Sequence, residues 1–154
     1  MADFTKDRFQ SKNQTWETPW SLFNAIQERY HLERDCAASA ENTKLPLYWT
    51  EQDNCLLQEW SGRNWLNPPF VNMKNFIKKA FLERERAFTI LLIPARTNTV
   101  WWHEMCMQGE VLFIKGRPKF KDCTHGLPTP LALVMFGGEA IPGKMGSFDL
   151  PRKA

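Results

Sequence analysis

Two adjacent prolines, Pro68 and Pro69, interrupt the middle of the chain between Asn67 and Phe70. They fix two consecutive φ angles and remove two backbone donors, so neither a helix nor an interior strand can run through them. Each proline also drives the residue before it out of the helical region. The preceding residues, Arg63-Asn64-Trp65-Leu66, read as a short buried strand, and residues 71–87 read as a helix. The tetrapeptide is thus a strand-to-helix turn. In it the Asn67 carbonyl, the Asn67 side chain and the Pro68 carbonyl can point outward as a stiff cluster of acceptors beside the flat face of Phe70. Such a cluster suits a planar ligand with an exocyclic amino group, because the acceptors take its N–H hydrogens and the ring stacks on the aromatic. A plain proline-rich turn with Phe70 in the core fits the tetrapeptide equally well.

The rest of the chain sets the limits. Its 154 residues are enough for one domain with a real core. No apolar run approaches the roughly 20 residues of a membrane span, and the N-terminus lacks the apolar region of a signal peptide. The expectation is therefore no membrane partner. Cys36, Cys55, Cys106 and Cys123 form no C-x-x-C pair, which favours reduced thiols and a cytoplasmic protein. A formal net charge of +3 permits a polyanionic partner without demanding one. Residues 1–14 read as a polar arm, residues 15–138 as the folded domain and residues 139–154 as a C-terminal tail. Lys6, Arg8 and Lys12 of the arm are balanced by Asp3 and Asp7, the pattern of a solvated terminus.

Within the folded part, Thr18 is placed to cap a helix with Pro19 at its first position. Leu22, Phe23, Ile26 and Tyr30 follow at helical spacing, and the helix N-terminus is a ready site for a carboxylate. Residues 30–36 read as a strand ending at Asp35. The segment after it, residues 36–42, consists mostly of small side chains that let a ligand approach the backbone. In open α/β sheets ligands bind outside the carboxyl ends of strands, where Asp35 would accept from an amine or hydroxyl. There is no G-x-G-x-x-G, so the dinucleotide fingerprint is missing. Residues 48–50 read as a further short strand. Phe76, Ile77, Ala80 and Phe81 mark the buried face of the helix after the prolines. Residues 88–93 form an apolar run of strand length, as in a central parallel strand covered on both faces. Residues 100–107, with Trp101 and Trp102, read as a helix, and residues 111–115 and 131–136 as strands. This alternation predicts one α/β sheet, mixed and mostly parallel. The last two strands are too close for a crossover helix, so an antiparallel C-terminal edge is expected.

Two further constellations stand out. His103, Cys106, Cys123 and His125 match no common zinc spacing, so no metal is expected. Lys115, Arg117, Lys119 and Lys121 alternate along a strand end and loop, with Phe120 between the last two. Extended, they share one face. That suits a phosphate-tracking edge as well as it suits a solvated edge strand guarded by lysines.

The order of the motifs carries more information than any one of them. Trp16-Glu17-Thr18-Pro19, Asp35-Cys36-Ala37-Ala38, Trp65-Leu66-Asn67-Pro68-Pro69-Phe70, Leu92-Ile93-Pro94-Ala95 and Phe113-Ile114-Lys115-Gly116-Arg117 follow one another along residues 15–138. In this the chain resembles the compact phage N6-adenine DNA methyltransferases of the Dam type. The resemblance implies a single-domain, Rossmann-like methyltransferase fold with S-adenosylmethionine as methyl donor and DNA as substrate. Carried over by position, Asn67, Pro68, Pro69 and Phe70 would form the catalytic turn. Trp16, Glu17, Thr18 and Pro19 would meet the methionine part of the donor. Asp35, with Ala37 beside it, would lie near its methionine and ribose, and Asp53 near its adenine. Lys115, Arg117, Lys119 and Lys121 would face DNA. The glycine pair the family carries after the Asp35 motif is replaced by Ala38 and Ala40. With no separate target-recognition domain, DNA sequence would be read by loops of this domain, by the second subunit of a homodimer, or loosely. The rivals are a non-enzymatic nucleic-acid-binding module built on the basic edge and exposed tryptophans, and a methyltransferase acting on RNA or on protein glutamine.

Overall fold

The structure is a computed structural model describing residues 17–119 and 129–150. Helix α1 (Trp20–Tyr30) buries Leu22, Phe23, Ile26 and Tyr30, the face its spacing predicts. It stops at His31, which takes a left-handed conformation and donates its N–H to Gln27 O. The cap position belongs to Pro19 rather than Thr18, and no side chain bonds there. Strand β1 is only Arg34–Asp35, much shorter than the strand expected over 30–36. Backbone bonds on either side prolong the contact with its neighbour: Glu33 N–H donates to Arg63 O and Cys36 N–H to Trp65 O.

Strand β2 (Leu47–Tyr48) and a 3-10 turn (Cys55–Leu57) lead into β3 (Gly62–Leu66). After the prolines, α2 spans Met73–Leu82, within the longer helix read over 71–87. Asn72 delays its start, with φ 68 in the left-handed region. Its end is set by the next element, because Ala87 is already the first residue of β4 (Ala87–Pro94). The helix read over 100–107 is split into α3 (Val100–Glu104), capped by the Thr99 hydroxyl accepting from Trp102 N–H, and a 3-10 turn (Cys106–Gln108). Strands β5 (Glu110–Lys115), β6 (Leu131–Phe136) and β7 (Met145–Asp149) are the last elements among the described residues. At the end of β6 the chain turns through Gly137, with φ 77, where a Cβ would stand 2.2 Å from Ala87 O.

These strands form one seven-stranded sheet in the order β2-β1-β3-β4-β6-β5-β7. Only β6 runs against the rest, pairing antiparallel with both β4 and β5. The expected antiparallel edge is corrected: β6 lies inside, and the edge is β7, parallel to β5. The reason lies in the side chains. Every residue of β6 is buried, which an edge strand cannot achieve, whereas β7 buries only Phe148. The sheet therefore continues into the segment read as a C-terminal tail.

Period-two alternation sorts the sheet residues onto two faces. Phe88, Ile90 and Leu92 of β4, with Leu131, Leu133 and Met135 of β6, pack beneath α1. Ala87, Leu91 and Ile93, with Ala132, Val134 and Phe136, pack beneath α2, α3 and Trp60. The result is three layers with one apolar core on each side of the sheet. Among the described residues no helix is long and apolar enough to cross a membrane.

Candidate active site

Parallel pairing puts the ends of β1 and β3 side by side, with Asp35 opposite Trp65 in register. The chain leaves β1 into the loop of 36–46 and leaves β3 into Asn67 and the prolines. The segment Glu17-Thr18-Pro19 crosses in front of both as it enters α1. Together they enclose a crevice lined by Glu17, Thr18, Asp35, Ala37, Asn42, Lys44, Trp65 and Asn67. Glu17, Thr18, Asp35, Ala37 and Asn67, separated in sequence and singled out there, are thus neighbours.

One hydrogen bond ties the two outer segments together: Asn67 Nδ2 donates to the Thr18 hydroxyl at 3.0 Å. This is why Thr18 does not cap α1. An amide has a single carbonyl oxygen, so engaging its nitrogen fixes which way Asn67 Oδ1 faces. Pro68 is buried, and Phe70 is half-buried against the core beneath α2.

Asp35 is 3% exposed. Its carboxylate organises the following loop, Oδ1 accepting from Ala37 N–H at 3.4 Å and Oδ2 from Lys44 N–H at 3.0 Å. Burial pushes its pKa up to about 6, against the opposing pull of those N–H groups and of the Lys44 charge. Lys44 is itself buried, its Nζ 3.5 Å from Glu17 Oε1 and 4.1 Å from the centre of the Trp20 ring.

Asp53 stands apart from this crevice. It is exposed, and its Oδ2 accepts from the Thr50 N–H and hydroxyl at 2.9 and 3.0 Å, closing a local turn. Trp16 and Lys121 lie outside the described residues, as do the arm of residues 1–14, Cys123 and His125. Cys36, Cys55 and Cys106 are free and buried. Burial pushes the thiols of Cys55 and Cys106 to about 12 and that of Cys36 well above its usual range, which disfavours the thiolate form of each.

Since β5 runs parallel to β4, its carboxyl end opens on the same side of the sheet as Asn67. Lys115, Arg117 and Lys119 are exposed at that end, with Lys115 opposite Asp149 in register. Arg96, exposed just after β4, adds a cation to the same side. The tryptophans expected at the surface are a correction: Trp60, Trp65 and Trp102 are buried and Trp49 and Trp101 half-buried, leaving Trp20 as the exposed one among the described residues.

The sequence model of the DNA N-6-adenine-methyltransferase (Dam) family matches residues 6–130. The chain belongs to that family. A DNA N-6-adenine-methyltransferase of Escherichia phage T1 is 36% identical over 94 residues, which make up 58% of this chain and 39% of the phage protein. The chain therefore spans well under half of that relative. A protein of the same description from Haemophilus phage HP1 is 28% identical over 150 residues, 89% of this chain and 86% of its own length. The family match takes in both strand ends that form the crevice.

Sequence reasoning missed three residues of the crevice. Trp65 was read as a strand residue and as part of the motif leading into the prolines, but given no role in a site, and Asn42 only as part of a small-residue loop. Lys44 was not singled out at all. Its signal was present, because it is followed by Leu45, Pro46 and Leu47, an unusual setting for a solvated lysine.

Proposed function

We propose that the protein methylates the exocyclic N6 amino group of adenine in DNA, using S-adenosylmethionine bound in the crevice. The sheet would then be that of a Rossmann-like methyltransferase. The observation that carries this reading is the junction of Thr18, Asp35 and Asn67 at the adjacent ends of β1 and β3 in a chain of this family. The donor set suits such a group: two carboxylates for cationic and hydroxyl groups, one ammonium, two amides and an indole wall. When bound, S-adenosylmethionine supplies a methyl group already activated by its sulfonium.

An adenine amino group is a poor nucleophile because its lone pair is delocalised into the ring. Asn67 Oδ1 and the Pro68 carbonyl accept its two N–H hydrogens and favour a tetrahedral nitrogen with its lone pair free. These bonds strengthen as positive charge builds on nitrogen, so they stabilise the transition state more than the ground state. Thr18, by holding Asn67 Nδ2, keeps the acceptor aimed without reorganisation during reaction. Because the amino group is inaccessible inside a duplex, the base is extruded and held against Phe70. Arg96, Lys115, Arg117 and Lys119 line the same side of the sheet and supply phosphate contacts. Against an RNA or glutamine substrate stands the family itself; against a non-enzymatic binding module stand the buried tryptophans.

The test is nucleoside mass spectrometry after incubation of duplex DNA, matched RNA and a glutamine peptide with the protein and labelled S-adenosylmethionine. Label is expected in N6-methyladenine of DNA. Label in N4-methylcytosine, RNA or peptide instead, or in none of them, overturns the assignment.

A further inference from the structure

We infer that Asn98, on the loop between β4 and α3, reads the major-groove edge of a base pair beside the extruded adenine, and that its amide selects an adenine in that pair. The inference rests on the reading of the protein as a DNA adenine methyltransferase and gives it a sequence-reading residue.

Strand β3 ends at Leu66, opposite Leu91, whereas its parallel neighbour β4 runs on to Pro94. The loop of residues 95–99 therefore rises past Asn67 on the adjacent strand. It does so on the side of the sheet where Lys115, Arg117 and Lys119 are exposed. Arg96, Thr97 and Asn98 are exposed in a row along it.

The backbone of this loop is tied down although its side chains face solvent. Arg96 N–H donates to Pro94 O, and Thr97 N–H to Ala95 O. Arg96 O accepts twice, from the Thr99 N–H at 3.1 Å and from the Thr99 hydroxyl at 2.8 Å. From α3, His103 Nε2 stands 2.7 Å from Thr97 O. A carbonyl only accepts, so that nitrogen carries the proton and donates it.

The Asn98 side chain takes no part in this bracing. Other loop asparagines are used up by their own turns: Asn42 Oδ1 accepts from Ser39 N–H, Asn54 Oδ1 from Leu56 N–H and Asn72 Oδ1 from the Asn75 amide. The Asn98 amide bonds to no other group among the described residues. An ordered backbone that presents an uncommitted amide loses little freedom when it binds. An amide offers a donor and an acceptor side by side, the complement of N7 and the N6 amino group on the major-groove edge of adenine. Arg96, two residues earlier, is a cation suited to the neighbouring phosphate, which fixes register without reading sequence.

The experiment is single-turnover methylation, with labelled S-adenosylmethionine, of short duplexes that share one target adenine and carry every combination of base pairs at the positions flanking it. The unmodified protein should favour an A·T pair at one of those positions. Asn98→Ala should slow methylation of the favoured duplexes roughly 10- to 100-fold, the scale of one bidentate base contact, and leave the disfavoured duplexes almost unchanged. The preference at that one position is then flattened, whereas loss of a phosphate contact or of structure slows every duplex alike. A uniform loss, no loss, a favoured G·C pair at the position that Asn98 governs, or an unmodified protein indifferent to the flanking pairs overturns the role of Asn98 while leaving adenine methylation in place. If the unmodified protein labels adenine in none of the duplexes, the reading as a DNA adenine methyltransferase falls, and this inference with it.

Discussion

Asp35 and Glu83 are both buried carboxylates, 3% and 5% exposed, and the fold treats them in opposite ways. Glu83 follows α2 and is enclosed by cations: Lys79 Nζ donates to one oxygen at 2.9 Å and an Arg86 guanidinium nitrogen to the other at 2.7 Å. Burial alone would raise its pKa, but the bonds and charges of Lys79 and then Arg86 outweigh burial and hold it below the usual range. It braces the turn from α2 into β4. Asp35 is met by two backbone N–H groups and a lysine charge, and for it burial wins, leaving its pKa at about 6. A carboxylate kept against its preference at a strand end, beside a crevice, is what a binding site looks like energetically. Cations offset the burial of Glu83, whereas the burial of Asp35 is left partly uncompensated beside the crevice.

The comparison predicts that changes around Asp35 alter function and changes around Glu83 alter only stability. The largest effect is expected at the catalytic turn. Asn67→Ala should lower the methylation rate by about 10²-fold or more, the scale of one preorganised transition-state contact, while the fold persists. Single-turnover kinetics with labelled donor measures this, and near-normal turnover would remove Asn67 from its acceptor role.

Next in size is Asp35→Asn. The folded pKa of about 6 lies above the ordinary 3.8, so the contribution of Asp35 to stability is fully present below pH 3.8 and is lost as the pH rises through 6. Removing the charge should relieve at most about 2–3 kcal/mol at pH 8, less about 1–3 kcal/mol because the amide nitrogen cannot accept from the backbone N–H that one carboxylate oxygen served, and the relief should fade toward pH 4. Urea unfolding at both pH values checks that trend. The same variant should bind S-adenosylhomocysteine more weakly. In the parent, affinity should decline below pH 6 as Asp35 is protonated.

Thr18→Val should be milder, roughly tenfold in rate for the loss of one orienting hydrogen bond, with Thr18→Ser restoring most of it. A kcat loss at unchanged KM for DNA separates aiming of Asn67 from general damage. Smallest is Glu83→Gln. It should cost roughly 1 kcal/mol of stability, discounted because Arg86 is largely solvent-exposed, and leave methylation untouched. If Glu83→Gln slowed methylation as much as Thr18→Val, the division between the two carboxylates would be wrong.

The sequence alone determined which local elements form and what kind of site they serve. Apolar spacing located the buried face of α1, the all-buried run located β4, and paired prolines located the turn after β3, because each signal is carried by residues close in sequence. The ordered motifs pointed to the family for the same reason. Where local and tertiary demands compete, the tertiary structure decided. Residues 30–36 and 71–87 were over-extended, because nothing local says that His31 ends a helix or that Ala87 already belongs to the sheet. The antiparallel strand was anticipated, but its place between β4 and β5, and the addition of β7 outside it, follow from how much of each strand the two cores can cover. Thr18 has the local chemistry of a helix cap, and the resemblance gave Asp53 a place near the donor's adenine. The first bonds instead with Asn67, 49 positions distant, and the second lies outside the crevice, its Oδ2 closing a local turn with Thr50. Lys44 divides between the two: the apolar residues after it hint at burial, but its closeness to Glu17 and Trp20 arises only when the loop after β1 folds back over the strand end, a long-range event that no local pattern encodes.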